Sequence, residues 1–552
     1  MIKNVPIELT PFICDYEKNP PVGIDLGTSN SSIAKWINTI KHIGTHVYTL
    51  NDQDGNLMPS VVYRDTDGDF LVGNAAYKKR ISEPDRVCSA VKRRIHDASK
   101  NILLGDEYFS AEDVAAQIIK AIFKSCIDTG LENPSGVVVS VPYYFTQNQN
   151  HHVRNAVNQG IQQSFQFATL PSDKAPKLLG LIPEPVAAAL SFAISNMESA
   201  LDDYILLYDM GGGTLDITIL HVIISGPNIK FEVLATDGDD TFGGEDFDHI
   251  LENYVIANET ISFDGLSEKL KKSQQSRIRA EIRAAKEKLS FERTVDLIIG
   301  NLPSGQIIDI KIKQSEFESM LCDNCNDKNY HEIFLQILDR TFKKTKISES
   351  SITKILPIGG STQIPFFRKI LENRFPKANF LHFQNNDTDS LYLSVARGAS
   401  IYAAYLLDNQ KKTQFLPSEK RIQIIQRTSH PLGILSNNGR FSVIVPANQQ
   451  VPYRAEKIYE PTEYADESKE RILSFDIEVY QGESQLIRDN TKIGTISLPD
   501  IYAHGRNKAN IKISIEFRVE ATNIDVTISI PGSNYDKSDI YIQKNIHLEE
   551  RK

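Results

Sequence analysis

The chain has 552 residues, 41% hydrophobic and 24% charged, with Gly 30 and Pro 24; this is a globular composition of several modules and excludes a mainly disordered or collagen-like chain. A formal net charge of −10 argues against a dominant nucleic-acid or anionic-membrane surface. No apolar run approaches the roughly 18 residues of a membrane helix, and Cys 5 in this length suits a reducing compartment rather than a disulfide framework.

Residues 1–21 carry Glu8, Asp15 and Glu17 and no apolar h-region, so they read as an N-terminal extension rather than a secretory signal, and a cytoplasmic location is expected. From 22 to about 410, strand-like and helical runs alternate as in an α/β domain. The patterning predicts strands over 22–36, 60–63 and 136–141 and helices over 111–126 and 185–195. Strand groups over 204–224 and 230–236 precede a helix over 273–290, a strand over 354–358 and helices over 365–374 and 395–407. The polar stretch from about Asn409, ending in the short apolar run RIQIIQ at Gln426, reads as a linker, set at 411–428. Beyond it the period changes to two. Ile511, Ile513, Ile515, Phe517 and Val519 alternate with polar residues, as do Leu473, Phe475, Ile477 and Val479, and Ile524, Val526, Ile528 and Ile530. That is a half-buried antiparallel sheet, assigned to 429–545 with a tail over 546–552. No repeat appears at solenoid periods.

Two segments carry chemistry. In Val22-Gly23-Ile24-Asp25-Leu26-Gly27-Thr28-Ser29-Asn30-Ser31-Ser32 an apolar strand ends in an Asp, turns at a Gly and offers a run of hydroxyls. Glycine lets backbone N–H groups approach a phosphate, and an Asp can hold magnesium, usually through water. Alone, Asp-x-Gly-Thr also fits ordinary hairpins and aspartic proteases. But Tyr208-Asp209-Met210-Gly211-Gly212-Gly213-Thr214-Leu215-Asp216-Ile217 has the same build, which suggests two similar lobes gripping one nucleotide. There is no G-x-x-x-x-G-K-[ST], no G-x-S-x-G elbow and no HExxH.

Together the hairpins resemble the DnaK-type seventy-kilodalton heat-shock chaperone family, within the wider actin–hexokinase fold. Further segments match in the family's order: Val138-Val139-Ser140-Val141-Pro142-Tyr143-Tyr144-Phe145, Glu184-Pro185-Val186-Ala187-Ala188-Ala189-Leu190, Phe231–Thr236 followed by Gly243-Gly244-Glu245-Asp246-Phe247-Asp248, Gly359-Gly360-Ser361-Thr362-Gln363-Ile364-Pro365, and Val479-Tyr480-Gln481-Gly482-Glu483. The resemblance covers about 22–540. It implies a two-lobed, ribonuclease-H-like α/β ATPase domain over 22–410 and a C-terminal antiparallel β-sandwich. No helical lid is expected, because the sequence ends soon after the last strand-like segment, 540–546.

The resemblance also implies roles. Asp25 and Asp209 would hold magnesium through water. Thr28, Ser29 and Asn30, behind Gly27, would line the phosphates with Gly211, Gly212, Gly213 and Thr214. Lys92 would position the attacking water, with Glu184, Asp216 and Thr214 around it. Gly243, Gly244, Glu245, Lys286, Ser290, Gly359, Gly360, Ser361 and Gln363 would complete the nucleotide site. Implied cofactors are ATP or ADP and magnesium, with potassium as an option. Positioning and charge stabilisation are what phosphoryl transfer needs.

Several positions depart from the family. Arg283 stands where an acidic residue is usual, Glu287 where Arg is frequent, and Gln363 where an Arg would stack on adenine. Asn150 and Gln426 replace an Arg and an Asp implicated in interdomain relay. Phe475 falls where a smaller residue floors the central peptide pocket. Cys322-x-x-Cys325 with His331 nearby lacks the second ligand pair of a zinc site.

The leading expectation is an ATP-driven, monomeric chaperone for unfolded or extended polypeptides, served by a J-domain co-chaperone and an exchange factor, with neither nucleic acid nor membrane as partner. Alternatives are a nucleotide-binding regulator with a dedicated partner and, on the same fold, a small-molecule kinase.

Overall fold

The computed structural model describes residues 19–38, 43–50, 54–96, 99–131, 134–143, 145–165, 176–195, 200–226, 228–259, 261–322, 328–381, 389–411, 416, 421–436, 439–460, 471–502, 512–519 and 524–531. In lobe I, β1 (Pro21–Leu26), β2 (Asn30–Asn38) and β3 (Ile43–Val47) form a meander. After α1 (Asn74–Ser82) and α2 (Ala111–Asp128), β4 (Gly136–Val141) runs parallel to β1. Then α3 (Gln147–Phe165) leads to β5 (Leu178–Pro183), parallel to β4, giving the order β5-β4-β1-β2-β3. Every residue of β4, GVVVSV, is buried, as expected of a parallel strand covered on both faces. The start of α2 is fixed by a capping box: Ser110 Oγ accepts from the Asp113 N–H while the Asp113 carboxylate accepts from the Ser110 N–H.

Lobe II repeats this plan. After α4 (Glu184–Ser195), β6 (Leu201–Met210), β7 (Leu215–Ser225) and β8 (Asn228–Asp239) form the meander. Then come α5 (Gly244–Asn258), α6 (Glu268–Leu289), β9 (Ile352–Ile358) parallel to β6, and β10 (Asn379–Phe380) parallel to β9. The two lobes thus share a topology, as the two like-built hairpin motifs suggest. Each has its own core, and a third joins them: Trp36, Val138 and Ile182 of lobe I meet Ile205, Leu207 and Leu220 of lobe II through α4 and α7 (Asp389–Lys411). Gly398 lets these helices touch, since a Cβ there would fall 1.7 Å from the Ala187 carbonyl oxygen.

The end of the expected linker is a strand. β11 (Arg421–Ile425) pairs in parallel with β8 from Asn228 to Glu232 and completes the lobe II sheet, with Ile422 and Ile425 buried. The following domain is two sheets, β13-β12-β15-β16 and β14-β17-β18, from β12 (Leu432–Ser436), β13 (Arg440–Val445), β14 (Tyr453–Tyr459), β15 (Arg471–Gln481), β16 (Thr491–Tyr502), β17 (Ile513–Val519) and β18 (Ile524–Ser529). One core joins both sheets; Ile513, Ile515, Phe517 and Val519 point into it. Arg427 ties this domain to both lobes. Its guanidinium donates to the Val233 carbonyl at 2.9 Å and the Asn448 carbonyl at 3.1 Å and pairs with Glu232 at 3.2 Å. Its own carbonyl accepts from the Tyr143 hydroxyl at 2.6 Å. The buried Gln481 side chain accepts from the Gln147 N–H at 3.0 Å.

The glycine turns break the strand runs where the two motifs place them: 22–36 is two strands parted at Gly27–Ser29, and 204–224 is two strands parted at Gly211–Thr214. One helix boundary needs correction. The last ATPase-domain helix runs past the expected boundary to Lys411. Segments 1–18 and 540–546, Cys325 and the side chain of Phe475 lie outside the described residues; the Phe475 backbone pairs with Leu498. Cys88 and Cys126 are buried free thiols. Among the described residues, no helix is long and apolar enough to cross a membrane.

Candidate active site

A cavity of about 410 Å³ separates the lobes. At its inner end Asp25, near the end of β1, accepts a hydrogen bond from Ser140 Oγ of β4 at 2.8 Å. Asp209, at the matching place in β6, lies in register with Asp216 of β7. Glu184 opens α4, where the helix N-terminus favours a carboxylate, and pairs with the buried Lys92 ammonium. Lys92 sits in the short turn Val91–Arg94, entered through Ala90 at φ 53, ψ 35. A left-handed alanine costs energy and persists only where its surroundings hold it; here the buried ion pair and Arg93 do so. Arg93 crosses the cleft to Asp246 of α5 at 2.6 Å and to the Gly213 carbonyl at 2.7 Å.

The inner end is short of positive charge. Burial, with Glu184 nearby, pushes Asp25 up to about 7 and Asp216 up to about 8, and raises Asp209 well above the carboxylate range. Burial works against the Lys92 ammonium, but Glu184, Asp25 and Asp209 outweigh it and hold its pKa above the usual lysine value. One Asp216 carboxylate oxygen is buried with no hydrogen-bond partner among the described residues. Such a set of oxygen donors fits a hard cation such as magnesium. Among the described residues no group of three or more His, Cys, Asp or Glu converges to hold an ion; Asp25 and Asp209 are the carboxylates of this end that line the cavity from the two central strands and could contribute to holding one.

Within the first turn, and where the start of α5 meets the second, the backbone packs too closely for side chains. A Cβ on Gly27 would lie 2.1 Å from the Asn30 carbonyl oxygen, and one on Gly243 2.6 Å from the Gly213 nitrogen. Ser60 braces the first turn, donating through Oγ to the Gly27 carbonyl at 2.8 Å and through N–H to the Ser29 carbonyl at 2.8 Å. Ser361 Oγ donates to the Gly211 carbonyl at 2.8 Å, and Lys286 Nζ to the Gly244 carbonyl at 2.6 Å.

The cavity is lined by Asp25, Gly27, Thr28, Ser29, Asn30, Lys92, Glu184, Asp209, Gly211, Gly212, Thr214, Gly244, Glu245, Lys286, Ser290, Gly359, Gly360, Ser361 and Gln363. Three expected residues, Gly213, Asp216 and Gly243, stand behind this lining and support it. Sequence reasoning missed Leu57, Phe291 and Tyr392, also in the wall; none lies in a motif, and only the folding of α7 across the cleft brings Tyr392 in. Asn150 and Gln426 are not in this lining; they line a second pocket with Tyr143 and Gln481, where the sandwich meets lobe I.

A family model described as Hsp70 protein matches residues 21–103 and 96–552. A protein named Chaperone protein DnaK from Thermotoga neapolitana is 28% identical over 534 residues, 96% of this chain and 81% of that protein. Proteins of the same name from Thermotoga petrophila and Thermosipho melanesiensis are 29% and 27% identical, over 90% and 91% of this chain and 76% of each relative.

Proposed function

The chain belongs to the Hsp70 family, a family of ATP-dependent chaperones, and on that premise we propose that magnesium-dependent ATP hydrolysis between its lobes switches the affinity of its β-sandwich for extended polypeptides. The observation that carries this is continuity: the β6–β7 turn at the phosphate end leads through β7 to β8, whose far edge takes β11 and whose Glu232 and Val233 hold Arg427. A shift of the turn on loss of the γ-phosphate therefore has a short, hydrogen-bonded route to the sandwich.

In this reading water attacks the γ-phosphorus, the bond to the β–γ bridging oxygen breaks, and the water's proton passes to a neighbouring carboxylate of the Asp209, Asp216 and Glu184 set. Lys92 orients the water and offsets the charge developing on the phosphoryl oxygens. Thr214 and the Gly211–Gly213 turn hold the γ-phosphate from lobe II; Thr28, Ser29 and Asn30 hold the phosphates from lobe I. Bound magnesium would supply further charge neutralisation, with Asp25 and Asp209 holding its waters. Polypeptide would be held by backbone hydrogen bonds and side-chain pockets in the sandwich. A J-domain partner, an exchange factor and a cytoplasmic location belong to the same proposal.

The test is ATP turnover with and without an unfolded polypeptide. Magnesium-dependent hydrolysis that polypeptide accelerates supports the reading. Binding without hydrolysis would favour the regulator with a dedicated partner, to which Asn150 and Gln426 point. Phosphate transfer to a small alcohol would favour a kinase.

A further inference from the structure

The outer end of the cleft has two unlike walls. On one side Arg283 of α6 is tied to Glu287 by an ion pair of 3.1 Å, one turn apart. On the other, the Gln363 amide donates to the Tyr392 hydroxyl at 2.5 Å, and both side chains are half-buried. Tyr392 stands on the first turn of α7 and its ring rests against Gly360, where an added Cβ would come within 3.0 Å of ring atom Cε1. The ring is thus held through its hydroxyl by Gln363, and its Cε1 side lies against Gly360. The Gly359–Ser361 turn also reaches the phosphate end, where Ser361 bonds to the Gly211 carbonyl. Tyr392 lines the cavity beside Gln363 and across from Glu287 and Ser290.

We infer that Tyr392 is the base-contacting, specificity-determining residue of this site: its ring takes the face of the purine whose triphosphate lies between the two hairpins. The inference rests on the nucleotide reading proposed above. Gln363 is then a positioning residue, one of its amide N–H groups given to the tyrosine hydroxyl. A ring so held loses little freedom when a base stacks on it, and a neutral ring replaces a guanidinium as the stacking surface.

Titration calorimetry of the full chain with Mg-ATP and with Mg-tripolyphosphate separates base from phosphate contacts. Tyr392→Ala should weaken Mg-ATP about tenfold and leave tripolyphosphate within about twofold, while Tyr392→Phe, which keeps the ring, should stay within about threefold for both. Unchanged Mg-ATP affinity in Tyr392→Ala overturns the inference. So does an equal loss for both ligands, which would make Tyr392 a structural residue. Absence of Mg-ATP binding by the unsubstituted protein, with tripolyphosphate still bound, overturns the nucleotide reading and this inference with it.

Discussion

Asp216 and Asp25 have their folded pKa values raised from 3.8 to about 8 and about 7. A raised carboxyl stabilises the nucleotide-free fold fully below pH about 3.8, and that contribution is lost as pH rises through about 7 and about 8. A cation arriving with nucleotide favours the charged forms and expels those protons. Binding of Mg-ATP at pH 7 should therefore release protons, seen as a dependence of the binding heat on the ionisation heat of the buffer. Asp216→Asn should reduce that release, and an unchanged release would place the proton elsewhere. For turnover, Asp209→Asn and Lys92→Ala should each lower the rate at least about tenfold, about 1.4 kcal/mol of barrier. Lys92→Ala should still bind nucleotide, because the ammonium acts on the reacting phosphate and water; full turnover in both variants would remove these residues from the chemistry. That Asp25, Lys92, Glu184 and Asp209 share one cavity wall was legible in the sequence, because each sits in a short motif. Tyr392 was not, because a helix distant in sequence delivers it.

At the scale of elements, two contacts decide whether the lobes and the sandwich act together. Gly243 presses α5 onto the β6–β7 turn, and a Cβ there meets only backbone of Gly212 and Gly213, which cannot step aside. Gly243→Ala should push the turn out of place and weaken Mg-ATP binding at least about tenfold, on the cost of overpacking a tight contact, about 1–3 kcal/mol; native affinity would show that the turn yields. Arg427→Ala removes two donations to carbonyls, of Val233 and Asn448, and the ion pair with Glu232 that together join β8 to the sandwich. It should loosen the docking of β11, so that protease cleavage within 409–426 becomes several-fold faster, a charge-assisted hydrogen bond contributing about 1.5–3 kcal/mol, toward the lower end for this half-buried one; an unchanged rate would show that strand pairing alone holds β11. Strands with clean alternation, such as β17, and β4 with its continuous apolar run were legible from pattern alone. Helix α3, sequence QNQNHHVRNAVNQGIQQSF, was not: it is too polar for its apolar spacing to stand out, yet it buries Val153, Ala156, Val157, Ile161 and Phe165. β11 was read as a sticky linker because nothing in RIQIIQ names the edge of β8 as its partner.

For the whole molecule, the two lobes and the sandwich were foreseen, but the way they are joined was not. The lobes meet through the core that α4 and α7 build between the sheets, and the sandwich meets them through β11, Arg427 and Gln481. Long-range packing of this kind has no local signature, so it follows only from the assembled chain. It also locates the central claim, which is that the nucleotide state reaches the sandwich. Dissociation rates carry most affinity differences between related complexes, so the direct measurement is stopped-flow release of a labelled extended peptide from the full chain at low concentration, preloaded with ADP and then mixed with Mg-ATP or with more Mg-ADP. Release should be at least about tenfold faster with Mg-ATP, equivalent to about 1.4 kcal/mol between the two states, and Arg427→Ala should shrink the difference. Release at the same rate with either nucleotide, from a protein that binds both, would contradict the coupling.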